Sequence, residues 1–255
     1  MDFYDDIADD YAQLTGAADR CGPAARFVEE LTRRFQITSA VDVACGTGLF
    51  AIELAGCGVK VVGSDVSPGM LNAAPANAAA AGIDSNLCSW VEAPMQELRD
   101  RISDRPDAIV CMGNSIPHLL TDDDLRRTFE GFGAMLAGGG VLAIHLLNYT
   151  RVLAGAERIV GITRSESKEF VRFYDFDSDA GLIDFNILEI KWADEGRCSY
   201  KLHTTPLRSY LHGELIDALD AAGFRNIKTF GDLRFNPFNP DSSDTLLLTA
   251  VIDRP

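Results

Sequence analysis

Val41-Asp42-Val43-Ala44-Cys45-Gly46-Thr47-Gly48-Leu49-Phe50-Ala51 is the stretch that decides the fold. The apolar run over residues 37–43 meets two closely spaced glycines, and a second apolar run starts at Leu49. That order reads as strand, tight turn, helix. Gly46 and Gly48 carry no Cβ, so the chain can turn sharply and a ligand can approach the backbone. In an open parallel sheet, ligands bind beyond the carboxyl ends of the strands, and the first strand-to-helix turn is the prime position.

Working outward, Lys60 to Gly63 reads as a second strand ending at Asp65, 17 residues after Gly48. A carboxylate there can accept both hydroxyls of a ribose. Gly46 to Ala51 also fits the dinucleotide pattern Gly-x-Gly-x-x-Gly/Ala. Asp42 argues against a dinucleotide. It ends the first strand just ahead of the glycines, where an anion repels a pyrophosphate and welcomes a cation such as the methionine end of S-adenosylmethionine.

Ser67-Pro68 opens the next helix, since Ser caps and Pro suits a first turn. It runs to about Ala81, with a kink expected at Pro75. Leu87 to Val91 and Pro106 to Met112 read as third and fourth strands. Thr121 caps a helix through Ala137 that Gly138-Gly139-Gly140 ends, and Val141 to Leu147 is a fifth strand. Ahead of the first strand, residues 3–36 read as helical, with Phe27, Val28, Leu31 and Phe35 at helical spacing. Strands alternating with helices imply a parallel sheet covered on both faces.

The pattern then changes. Residues 168–206 alternate as antiparallel strands do, with turns at Asp179-Ala180-Gly181 and Asp194-Glu195-Gly196. Leu211 to Ala222 is a helix closed by Gly223. Strands near 225–231 and 245–252 follow, flanking the turn-rich Asn236-Pro237-Phe238-Asn239-Pro240. The fold class is thus α/β: a Rossmann-like seven-stranded sheet with helices on both faces and an antiparallel β insertion after the fifth strand. Residues 1–255 read as a single domain, with 1–36 as an N-terminal helical cap and 160–208 as the insertion, expected to form a substrate lid.

Bulk properties narrow the class. A chain of 255 residues with 47% hydrophobic content supports one core with an elaboration. No apolar run approaches the roughly 20 residues of a membrane span. The acidic start Met1-Asp2-Phe3-Tyr4-Asp5-Asp6 lacks the basic opening of a signal peptide, so a cytoplasmic protein is expected. A net charge of −15 repels phosphate backbones and disfavours nucleic acid. The six cysteines form no Cys-x-x-Cys pair and have no His cluster beside them, so no metal site is expected.

Val41 to Gly48 and Ser64-Asp65-Val66-Ser67-Pro68-Gly69-Met70-Leu71 resemble motifs of class I S-adenosylmethionine-dependent methyltransferases. Met112-Gly113-Asn114-Ser115-Ile116-Pro117-His118-Leu119 and Asn148-Tyr149 resemble the glycine and sarcosine N-methyltransferases more narrowly. The likeness extends from the Tyr4-Asp5-Asp6-Ile7-Ala8-Asp9-Asp10-Tyr11 opening to the end of the chain. It implies S-adenosyl-L-methionine as cofactor and a small-molecule methyl acceptor, first of all an amine nitrogen. It is compatible with a homo-oligomer.

The resemblance also assigns roles. Ala44, Gly46 and Gly48 hold the methionine moiety beside Asp42, Asp65 holds the ribose, and Val66 lies by the adenine. Met112, Ser115 and His118 touch the cofactor, and Arg20 matches an arginine at the methionine carboxylate. Two departures stand out. Pro94 replaces an acid or amide that bonds the adenine amine, which leaves Met95 and Gln96 to serve that side. Leu147 replaces an arginine that pairs with the acceptor's carboxylate in the glycine-methylating relatives. Since burying a carboxylate unpaired is costly, either Arg172, Arg208 or Arg234 takes that role or the acceptor is not a small amino acid.

Asn114, Asn148 and Tyr149 follow the fourth and fifth strands, and Arg172 and Tyr174 are two apart, hence on one face of a strand. These five are the substrate-site candidates. Methyl transfer is an in-line displacement in which alignment alone contributes roughly 7 kcal/mol or more. An amine must arrive deprotonated or lose its proton to a base. His118, Asn114 and Tyr149 are the catalytic candidates. His145 is a second candidate base, although a core histidine is the simpler reading inside a strand. Oxygen or sulfur of a metabolite is the alternative acceptor, and a non-catalytic cofactor-binding module is the remote alternative.

Overall fold

The computed structural model describes residues 3–155, 158–165, 167–176, 182–193 and 197–253. The chain opens with a 3-10 turn at Asp5–Asp10, then α1 (Tyr11–Thr15) and α2 (Ala17–Phe35). The expected continuous helix over 3–36 is broken at Gly16, whose φ of +62° is left-handed and ends α1. There follow β1 (Ser39–Val43), α3 (Leu49–Gly56), β2 (Lys60–Asp65), α4 (Pro68–Ala80), β3 (Cys88–Glu92), α5 (Leu98–Arg101) and β4 (Ala108–Cys111). Next are α6 (Asp122–Met135), β5 (Val141–Leu147), α7 (Tyr149–Gly155) and the strands β6 (Ile159–Arg164), β7 (Lys168–Asp175), β8 (Leu182–Trp192) and β9 (Cys198–Arg208). The chain closes with α8 (His212–Ala221), β10 (Phe224–Phe230) and β11 (Thr245–Ile252).

Seven strands form one sheet in the order β10-β11-β5-β4-β1-β2-β3. β1 to β5 run parallel, and β11 is antiparallel to both β5 and β10. The strand order reverses at β1, so the glycine turn stands at the switch point where a crevice forms. Alternation along each strand splits the core in two. Val41, Val43, Ile109, Cys111, Leu142 and Ile144 face α6 and α8, with Phe129, Phe132 and Leu215. Ala40, Val61, Val110 and Ala143 face the other way, against Phe27, Leu31, Phe50 and Leu54 of α2 and α3.

β6 to β9 form a separate four-stranded antiparallel meander, the insertion expected after the fifth strand. Its expected turns, Asp179-Ala180-Gly181 and Asp194-Glu195-Gly196, lie outside the described residues. α4 continues through Pro75, with Ser67 accepting from the Met70 amide as its cap. The helix α7 directly after β5 carried no signal in the sequence reading. Among the described residues, no helix is long and apolar enough to cross a membrane.

Candidate active site

Two adjoining cavities lie beyond the carboxyl ends of the central strands. The first, about 340 Å³, is walled by the glycine turn, by Asp42 and Asp65, and by Val66, Met95, Met112, Ser115 and His118. Ala44 and Gly46 adopt positive φ of +53° and +55° there. Gly48, at φ +94°, does not line it. A Cβ at Gly48 would stand 2.8 Å from the Trp90 ring, so this glycine lets the turn pack onto β3. Gln96 does not line the cavity either.

Both acids are buried. Asp65 accepts from the Gly46 amide at 2.7 Å and from the Ser67 amide at 2.9 Å, which ties the first strand's turn to the second's. Burial raises its pKa even so. Asp42 is 1% exposed and accepts one bond, from the Ala51 amide of α3 at 2.9 Å. Burial, partly offset by that amide, pushes it up to about 8. A carboxylate so desolvated is a seat for a cation.

The N-terminal segment completes this cavity: Arg20, the residue assigned to the methionine carboxylate, lines it together with Tyr4, Asp5 and Tyr11, which carried no assigned role. Asp5 accepts from Ser67 Oγ at 2.5 Å and the Gly69 amide at 2.8 Å, docking the segment on the start of α4. Gly69 permits this, since a Cβ there would meet Asp5 Oδ1 at 2.9 Å. Tyr4 is thereby held with its hydroxyl 2.8 Å from His118 Nε2. Burial lowers His118 to about 4, so it is neutral at pH 7 but a weak base. The only sequence signal for these contacts was the Tyr4 to Tyr11 motif.

The second cavity, about 300 Å³, shares Tyr4, Tyr11, Thr15, Arg20, Gly113 and His118 with the first. The two therefore meet at a neck ringed by these residues. Its far wall comes from the meander, with Arg172 and Tyr174 of β7 side by side as their spacing required. Leu147, Asn114 and His145 line the cavity as well. His145 is also pulled down to about 4, by burial and then by Arg20. Arg172 is half buried, its Nε has no hydrogen-bond partner, and burial followed by the Arg20 charge lowers its pKa. Its guanidinium rests over Gly161, its cross-strand neighbour, where a Cβ would come within 2.7 Å of Nη2. Arg208 instead pairs with Asp122 and Glu214 and stacks on Tyr210. Arg234 lines neither cavity.

Of three other candidates, Asn114 lines the second cavity with its side chain committed to the wall, and Tyr149 and Asn148 line neither cavity. Asn114, at φ +74°, accepts from the Leu147 amide at 3.0 Å and donates to the Tyr149 hydroxyl at 3.1 Å, which joins the ends of β4 and β5. Tyr149 is 1% exposed and lines neither cavity, and burial raises its pKa. Asn148 points away, donating to the carbonyls of Pro240 and Ser243.

A methyltransferase domain family matches residues 40–140. The glycine/sarcosine N-methyltransferase of Parasynechococcus marenigrum (strain WH8102) is 28% identical over 241 residues, 94% of this chain and 82% of that one. The glycine/sarcosine N-methyltransferase of Halorhodospira halochloris is 30% identical over 247 residues, 94% of this chain and 84% of that one. The chain belongs to the glycine/sarcosine N-methyltransferase family of class I S-adenosylmethionine-dependent methyltransferases. Solved structures agree on the fold. An S-adenosylmethionine-dependent methyltransferase from Clostridium acetobutylicum superposes with a TM-score of 0.81 at 17% identity, covering 98% of this chain and 99% of that one. An amino pentose methyltransferase from Micromonospora echinaspora gives 0.67 at 18% identity, covering 93% and 96%. The methyltransferase thus uses S-adenosylmethionine, and its first cavity, with a desolvated acid and a turn in which Gly46 carries no side chain, fits a cationic nucleoside.

Proposed function

We propose that the methyltransferase transfers a methyl group to the nitrogen of a small amine that also carries a carboxylate. The observation that carries this reading is Arg172: a guanidinium with a buried, unpartnered Nε in the wall of the second cavity. Among the described residues no Asp or Glu lines that cavity, and none pairs with Arg172. A desolvated arginine without a counter-ion is a site for an anionic ligand, since the pair restores what each charge lost on leaving water. Arg172 lines the same cavity as Leu147, so it supplies from the meander the cation that the fifth strand lacks. The meander over residues 160–208 then serves as the wall closing over the acceptor.

When bound, S-adenosylmethionine supplies a methyl on a cationic sulfur; transfer forms the N–C bond, breaks the S–C bond with its electron pair left on sulfur, and frees one proton from nitrogen. The chain's own part is orientation and exclusion of water. In this reading Asp65 accepts from the ribose, Asp42 faces the positive charge, Arg20 takes the methionine carboxylate, and Val66 and Met95 flank the base. Tyr4, held by His118, closes the neck. Because burial lowers His118 and His145 to about 4, both imidazoles are uncharged and weak bases at neutral pH, so in this reading the amine arrives already deprotonated.

Asp42 provides a pH test. Its pKa is about 8 when folded against an ordinary 3.8. The unligated fold therefore holds a proton that the unfolded chain has lost, and stability falls as pH rises through the window from about 4 to about 8. A cation favours the ionised form, so cofactor affinity should rise with pH across 6 to 8, by at most about tenfold per unit. Asp42→Asn should flatten both dependences and weaken binding. Calorimetry at pH 6, 7 and 8 measures this, and a variant that keeps the wild-type slope removes Asp42 from the cation site.

The acceptor is tested by release of S-adenosylhomocysteine with amines, hydroxy acids and thiols, each with and without a carboxylate. Turnover of amino acids, at least tenfold above the matching amines and with no turnover of the hydroxy acids, is the expected result. Turnover of thiols or hydroxy acids alone overturns the reading.

A further inference from the structure

The second cavity is far more apolar than a glycine-sized acceptor requires. Leu14, Leu146, Leu147, Phe185, Ile187 and Leu207 all line it, among polar side chains. Leu14, Leu146, Ile187 and Leu207 are each 2% exposed or less, whereas Leu147 and Phe185 are only partly buried and present apolar surface to the cavity. Arg172 and Arg20 supply its charge. A glycine held at Arg172 would leave the apolar surface of Leu147 and Phe185 uncovered within the roughly 300 Å³. An apolar side chain of leucine or phenylalanine size would remove that surface from water.

From this we infer that the acceptor is an amino acid with a sizeable apolar side chain, its carboxylate on Arg172 and its side chain against the leucine-rich wall. The inference rests on the amine-and-carboxylate reading above and specifies it. The departure at residue 147 then has a physical meaning. Leucine there extends the apolar wall, and an arginine in its place would bring a second charge into it. The absence of an acidic wall among the described residues also selects against acceptors with a second ammonium group, which would find no counter-ion there.

The test compares glycine, sarcosine, leucine and phenylalanine with the carboxylate-free amines 3-methylbutylamine and 2-phenylethylamine. Two readouts are taken on the full chain: calorimetric binding to the S-adenosylhomocysteine complex, and kcat/KM from S-adenosylhomocysteine release. Leucine or phenylalanine should exceed glycine by about tenfold or more in both. The amines should fall at least tenfold below their parent amino acids. Leu147→Phe, which narrows the apolar end, should lower the phenylalanine-to-glycine ratio at least tenfold; cofactor binding reports whether that variant folds. Val160→Trp, at a lining position 42% exposed, gives a second narrowing that leaves the core alone. Preference for glycine or sarcosine overturns the inference and leaves the broader reading standing. Equal use of amines and amino acids, or binding of no amino acid at all, overturns both.

Discussion

Asp65→Ala is expected to weaken S-adenosylhomocysteine binding by about 30- to 150-fold, which corresponds to roughly 2–3 kcal/mol. Hydrogen bonds to an ionised group lie at the strong end of the scale, and here the acceptor serves two purposes. It holds the Gly46 and Ser67 amides, and so sets the spacing between the turns after β1 and β2. Its remaining lone pairs face the cavity that we assign to the ribose. Alanine removes both, leaving two amides without their acceptor. The melting temperature should therefore fall together with affinity. S-adenosylhomocysteine is the right probe because its sulfur is uncharged, which separates the ribose contact from the attraction of Asp42. Calorimetry measures the effect, and an unchanged affinity would show that Asp65 holds only the protein's own backbone.

Arg172→Ala should lower kcat/KM for a carboxylate-bearing acceptor by about 10²- to 10³-fold. Removing one partner of a buried charge pair typically costs 2–5 kcal/mol, most of it from the charge left behind. Affinity for S-adenosylhomocysteine should stay within about twofold, because Arg172 lines only the second cavity. The melting temperature should hold or rise. Burial and the Arg20 charge both disfavour the guanidinium in the unligated fold, so this residue is kept at a cost to stability. Arg172→Lys should recover part of the activity, since a point charge replaces a fork. A fall in cofactor affinity as large as the fall in kcat/KM would assign Arg172 to general packing instead.

Much of the sheet was legible because its signals are local. Alternating apolar residues, a glycine turn after β1 and a Ser-Pro start for α4 each act within a few positions along the chain. Gly16 interrupted the expected N-terminal helix through one left-handed residue, a choice that helical periodicity does not register. α7 was missed because Tyr149–Gly155 is short and follows directly on the strand. For the site, the glycine turn with Asp42 and Asp65 was readable, since each sits at a strand end whose position the pattern defines. Asn148 and Tyr149 were grouped with the substrate by their place after β5, but their side chains turn to the Pro240 loop and to Asn114.

What the sequence by itself determined is the cofactor half of this methyltransferase. The glycines, Asp42 before them and Asp65 after the next strand lie within 24 residues, positioned by one β-α-β unit whose geometry is nearly invariant. What only the tertiary structure decided is the second cavity, where we place the acceptor. Leu147 and Arg172 belong to different sheets, and neither residue's neighbours say that they line one cavity. That Arg172, and not Arg208, is left without a counter-ion depends on where Asp122 and Glu214 fall in space. Gly161, which gives Arg172 its room, is defined only by the register of β6 on β7. Periodicity and turn chemistry act over a few residues, whereas a charge in a cavity wall is set by the packing of two sheets and an N-terminal strap.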